Sequence, residues 1–197
     1  MTETEARRQA AIARGRAYDL LGGLFRRGPT RLDHLRAVSA LAPHVPDAVD
    51  DEVEAAHFGL FGRELPPYEG VFRDARALLG GDASTAVRRA MAQGGFAPDD
   101  SDAEADHVGT ELAYLAHLCG AEADAWRDDL PGVAERVAGL QQDFLTLHLL
   151  RWLPPFVVAV EDAGQPLYTE AARLALALAV DHAGGDALDT DLPAVDD

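Results

Sequence analysis

Helix is the one regular element this chain can build in quantity, because its apolar positions are filled mainly by two residues. It has 37 alanines and 26 leucines against a single isoleucine. Ala and Leu lead the helix scale, whereas strands draw on β-branched and aromatic residues. Glycine and proline then cut the sequence into helix-length pieces. Residues 5–25 carry Ile12, Tyr18, Leu20, Leu21 and Leu24, and Arg26-Arg27-Gly28-Pro29 stops them with cations, then Gly and Pro. A short helix is expected over 30–42. Another runs over 46–61, opening at Pro46 with Asp47, Asp50, Asp51 and Glu52 where the helix dipole favours negative charge. Leu65-Pro66-Pro67-Tyr68 breaks it, and 70–79 and 84–93 read as two further short helices.

After an acidic connector over 94–100, Ser101-Asp-Ala-Glu104 has the form of a capping box. It opens a helix whose Val108, Leu112, Leu115 and Cys119 recur at i, i+4, i+7 and i+11 and must face a core. Pro131 starts the next helix, with Val133, Val137, Leu140, Phe144 and Leu147 as its stripe. Pro154-Pro155 either interrupts that helix or starts a following one. Pro166 begins the last, lined by Leu167, Leu174 and Leu178 and ended by Gly184-Gly185. The expectation is an all-α, single-domain helical bundle over 1–185, with an acidic and mobile tail over 186–197.

Charge narrows the partners. Seventeen basic residues, all arginine, face 34 acidic ones for a net charge of −17, yet 48% of the chain is hydrophobic, which excludes a disordered polyelectrolyte. The acidity argues against nucleic acid as a partner. The absence of lysine and the abundance of Asp and Ala suit a cytoplasm holding molar salt, where the Debye length is about 3 Å and a partner must be held by direct contact. One cysteine, Cys119, excludes an internal disulfide framework. Met1-Thr-Glu-Thr-Glu has neither a basic nor an apolar leader region, and no run of 18 apolar residues occurs. A cytoplasmic protein without stable membrane insertion is expected.

No phosphate-binding loop, dinucleotide fingerprint, zinc-protease motif or nucleophile elbow is present, so the balance moves from catalysis to binding. His107 and Glu111 are i, i+4 neighbours that could supply two metal ligands, but two are too few, and His117 lies about 15 Å along the axis from His107. Asp106 beside His107 is a conceivable acid–base pair, although adjacent helical residues point about 100° apart. No metal and no other cofactor is expected. Residues 57–72 are more unusual, with Phe58, Phe61, Tyr68 and Phe72 around a double-proline break. Such a break can form a core corner, or it can leave Leu60, Phe61, Tyr68 and Phe72 lining a groove for an amphipathic segment. His148 and Trp152 read as a core junction, since Phe144 and Leu147 continue the same face.

Three motifs in series carry a family likeness. They are Leu60-Phe61-Gly62 before Pro67-Tyr68-x-x-Val71-Phe72, then Asp106-His107-x-x-x-Glu111-Leu-x-Tyr-Leu115, then Phe144-x-x-x-His148-Leu-x-x-Trp152-x-Pro154-x-Phe156. Over roughly 15–180 the chain resembles the TorD/DmsD/NarJ family of redox-enzyme maturation chaperones. Members often have Trp where Tyr68 stands. The resemblance implies a TorD-like helical bundle and a cytoplasmic, non-catalytic chaperone. It would bind the twin-arginine leader of a molybdopterin-dependent oxidoreductase, with or without the body of that catalytic subunit, and hold it from export until the cofactor is inserted. It places the leader-binding surface at His57, Leu60, Phe61, Pro67, Tyr68, Phe72, Asp106 and His107; Glu111 is added here on chemical grounds. Two guanidiniums followed by an apolar stretch call for carboxylates beside an apolar groove, and Asp106 and Glu111 are the expected forks. Two other classes stay open: a small metal-dependent hydrolase built on Asp106, His107 and Glu111, and a permanent assembly or scaffold subunit. Monomer and domain-swapped dimer are both compatible with the sequence.

Overall fold

The longest helices enclose the core, and each follows from residues visible in the sequence. The computed structural model describes residues 1–73, 81–98 and 105–184. Helix α1 (Glu3–Arg27) begins where the Thr2 hydroxyl accepts the Glu5 N–H, and ends at Gly28, whose φ of 71° reverses the chain. Helix α2 (Leu32–Arg36) and a 3-10 turn (Ala42–His44) follow. Helix α3 (Asp51–Gly59) starts five residues later than Pro46 suggested, because Asp50 accepts the Val53 N–H at 3.0 Å and is the cap. A π-helical turn (Leu60–Glu64) extends it to the double proline. Then come α4 (Glu69–Arg73), α5 (Asp82–Gln93), α6 (Val108–Arg127), α7 (Pro131–Phe144), a second π turn (Leu145–Leu149), α8 (Leu150–Asp162) and α9 (Pro166–His182). Among the described residues there is no strand, and the one β-bridge joins Tyr68 to His107.

Helix α6 is central, between α1 and α7. Its stripe of Val108, Leu112, Leu115 and Cys119 is fully buried, as its spacing requires. Helix α1 approaches it backbone to backbone. A Cβ on Gly22 would meet the Gly109 carbonyl at 2.9 Å, and one on Gly109 would meet the Gly22 carbonyl at 2.6 Å. Helix α9 lies on α8 and α1 through Ala171, Ala172, Ala175 and Ala179, all fully buried. Tyr18, Phe25, Phe144, Trp152 and Phe156 fill the space between the helices.

Three expectations change. The capping box at 101–104, the second half of the 70–79 helix and the tail over 186–197 lie outside the described residues; α6 itself starts at Val108 with His107 as its cap. Leu147 is not on the buried stripe. The π turn inserts one residue, turning Leu147 outward at 56% exposure and Leu145 and Leu149 inward. Pro154 and Pro155 neither end nor start a helix but sit inside α8, just past that turn, where Arg151 Nε donates to the Thr146 carbonyl at 2.9 Å. Residues Pro131–Asp162 are therefore apolar and long enough to cross a membrane by length and composition, and half of that apolar window is enclosed by the bundle.

Candidate functional site

Prolines 66 and 67 hold the chain extended, and this fixes where it meets the start of α6. The Val108 N–H donates to the Pro67 carbonyl at 2.8 Å and the Glu69 N–H donates to the Asp106 carbonyl at 2.9 Å. These two bonds pin Tyr68 against His107, with the rings edge to face at 5.1 Å. Asp106, two residues before α6, is completely buried, and its Oδ2 accepts the Gly70 N–H at 3.1 Å. His107 Nδ1 accepts the Gly109 N–H at 3.0 Å, so its imidazole is held neutral as a helix cap. Burial first, then the charges of Arg26 and His57, bring its pKa down to about 3.

Beneath this clasp lie three buried carboxyl groups, Glu69, Asp106 and Glu111. Glu69 pairs with Arg73 one turn on, and its Oε2 lies 3.2 Å from His148 Nδ1. Glu111 Oε2 accepts the Trp152 indole N–H at 3.2 Å. Burial, then the Glu69 charge, raises the Glu111 pKa well above its ordinary value, and burial likewise raises that of Asp106 against the Gly70 N–H bond. The shift favours the protonated form of Glu111 in this layer. The polar layer ties α4, α6 and the α7–α8 junction together.

The structure divides the residues picked from the sequence. Pro67, Tyr68, Asp106, His107 and Glu111 converge on the clasp. Tyr68 and Phe72 are half-buried, and Phe72 packs on Trp152 and Phe156 at ring distances of 5.5 and 5.8 Å. Leu60 and Phe61 do not line a groove. At 3% and 5% exposure they belong to the core, where Phe61 meets Phe25 and Tyr168, whereas Phe58, on α3 just before the π turn, is 63% exposed. Asp106 and Glu111 are not surface forks either, because both are completely buried, with one oxygen of each turned to the Gly70 N–H and the Trp152 indole. His57 stands apart, half-buried, with Nε2 3.0 Å from the Phe25 carbonyl and its ring against Phe61 and Tyr168. The hydrolase reading loses its ligands by the same geometry. Among the described residues no three His, Cys, Asp or Glu side chains are grouped to hold a metal.

Sequence reasoning missed Glu69, Arg73 and the polar half of His148. The i, i+4 spacing of Glu69 and Arg73 was the available signal. Trp152 is the core residue expected of its position, while His148 faces Glu69 and lines a cleft of about 250 Å³ with Tyr114, Phe144 and Leu147. A second groove of about 230 Å³ lies between α3 and the start of α9, with His57 and Tyr168 behind it.

Comparison with known proteins places these elements in context. A family model described as nitrate reductase delta subunit matches residues 31–158, which include every residue named above as a site candidate. The chaperone protein TorD of Vibrio cholerae serotype O1 is 33% identical over 113 residues, covering 56% of this chain and 50% of that protein. The chlorate reductase assembly chaperone protein of Ideonella dechloratans is 47% identical over 51 residues, 26% of this chain and 25% of that one. The chain thus spans about half the length of the TorD protein it matches.

Proposed function

The chain belongs to the nitrate reductase delta subunit and TorD-like family of redox-enzyme maturation chaperones, and from this membership we propose that it is a chaperone of molybdoenzyme assembly. In this reading it binds the twin-arginine leader of a molybdopterin-dependent oxidoreductase in the cytoplasm and withholds that subunit from export until its cofactor is in place. The names of the two relatives, TorD chaperone and chlorate reductase assembly chaperone, support a role in assembly rather than catalysis.

The observation that carries the reading is the clasp. Tyr68 is presented half-exposed on a rigid backing, its backbone fixed by two hydrogen bonds and its ring by His107. Rigid aromatic contact area binds with little loss of conformational freedom, which is what a receptor for a flexible peptide needs. Tyr68 and Phe72 are the proposed contact residues there, and the buried Pro67 holds the clasp through its carbonyl. Asp106, His107 and Glu111 act from below by holding the platform in place. Contacts of this kind are little weakened by salt, so the leader is held in a molar-salt cytoplasm where the −17 charge cannot steer it.

The test is retention of a client. The protein is immobilised in molar KCl, exposed to cytosol of its own source, and the retained proteins are identified by mass spectrometry. The expected result is a molybdopterin oxidoreductase catalytic subunit still carrying its leader, with retention reduced by Tyr68→Ala and helicity unchanged. Recovery of no such precursor overturns the proposal.

A further inference from the structure

The leader reading asks for carboxylates beside an apolar groove, and the two carboxyl groups chosen from the sequence are inside the protein. The requirement is met elsewhere, on the surface between α3 and the start of α9. A groove of about 230 Å³ is lined there mainly by Pro46, Val53, Ala56, Leu167 and Tyr168, with His44 and Gln165 as its polar members. Its floor is rigid, since Leu167 and Tyr168 are buried and the Tyr168 ring meets Phe61 edge to face and His57 at a tilt. Its wall is the α3 face carrying Val53 and Ala56, one turn apart.

The rim of this groove is acidic and unneutralised. Asp47 follows Pro46, and Glu52 precedes Ala56 by one turn; both are exposed. Neither side chain has a hydrogen bond or ion pair among the described residues. The nearby cations are engaged by their own neighbours. Arg36 donates to the Pro46 and Asp47 carbonyls at 2.8 and 3.0 Å, and Arg31 pairs with Asp19. An apolar trough bordered by free carboxylates is complementary to a segment that has guanidiniums beside apolar side chains.

We propose that the α3–α9 groove seats the apolar stretch of the twin-arginine leader, with the paired arginines bound by the carboxylates of Asp47 and Glu52. This rests on the leader-binding reading and moves its charge-bearing contacts from Asp106 and Glu111 to this rim. His57, singled out in the sequence, then stands behind the groove, with its ring against Tyr168.

The test uses a fluorescently labelled synthetic peptide with two adjacent arginines followed by an alanine- and leucine-rich stretch, titrated with the full chain in about 1 M KCl and read by anisotropy. Ala56→Arg fills the groove and Glu52→Lys reverses its rim; both positions are exposed, so the fold should be unaffected, which far-UV circular dichroism checks. Each is expected to weaken binding about tenfold or more. Replacing the two arginines of the peptide by glutamine should weaken wild-type binding similarly and make the Glu52→Lys effect disappear. If Tyr68→Ala weakens binding while neither groove variant does, the groove assignment is overturned and the leader reading stands. If the wild-type chain does not bind the peptide at all and retains no precursor from cytosol, both fall.

Discussion

Burial raises the pKa of Glu111, with the neighbouring Glu69 charge adding to it, so the folded protein keeps a proton there that the unfolded chain releases near pH 4.5. Between that pH and the raised value the folded state binds more protons than the unfolded one, and stability falls as pH rises through the window. Glu111→Gln removes this titration while leaving an amide oxygen to accept the Trp152 indole N–H. Its melting temperature, followed from about pH 5 to about pH 9, should fall less steeply with pH than that of the wild type. An identical slope would mean that Glu111 is ionised in the fold. His107 acts in the opposite sense. Its pKa is brought from 6.5 to about 3, so the unfolded chain takes up a proton first as pH falls, and stability is lost on acidification across that range. His107→Asn keeps a side-chain acceptor for the Gly109 N–H and cannot titrate there. The variant should lose less melting temperature than the wild type between about pH 7 and about pH 4, a comparison that calorimetry makes directly.

At the scale of helices, α1 and α6 approach closely where Gly22 and Gly109 let two backbones touch. Gly109→Ala would set a methyl group 2.4 Å from Arg26 Cγ and 2.6 Å from the Gly22 carbonyl. The Arg26 side chain can move but the carbonyl cannot, so the helices must part, at a cost of about 1–3 kcal/mol. The expected readout is a lower urea midpoint with an unchanged slope. This crossing was not legible in the sequence, since neither glycine announces its partner. The helices themselves were legible wherever the apolar spacing is regular, as with Val108, Leu112, Leu115 and Cys119. The reading failed at the two π turns. Periodicity assumes 3.6 residues per turn, and one extra residue rotates everything beyond it by about 100°. The first turn carries Leu60 and Phe61 into the core, and the second exchanges Leu147 for Leu145 and Leu149. The site suffered most because it adjoins both turns. Its Asp-His pair was found, but a sequence cannot show that Asp106 is turned inward to hold Gly70 rather than outward to hold a ligand.

For the whole molecule the balance of charge decides how salt acts on the fold. Ion pairs such as Arg7 with Glu3 and Arg173 with Glu161 are exposed, worth about 0–1 kcal/mol each, and weakened by added salt. Repulsion works the other way. With 34 acidic residues and 17 arginines, full pairing of every arginine would still leave half of the carboxylates without an opposite charge. Unfolding relieves that repulsion by spreading the carboxylates apart, so low salt favours the unfolded chain. Raising ionic strength from about 0.1 M to about 1 M shortens the Debye length from about 10 Å to about 3 Å, less than the spacing of most surface carboxylates. Repulsion therefore outweighs the surface pairs, and the melting temperature should rise with KCl. The shape of the rise identifies its cause. Screening is nearly complete by about 1 M, so most of the gain should come below that concentration, whereas stabilisation by exclusion of salt from the surface would continue to climb beyond it. A melting temperature that stays flat or falls between low salt and about 1 M KCl would show that the surface ion pairs control the electrostatic stability of the bundle.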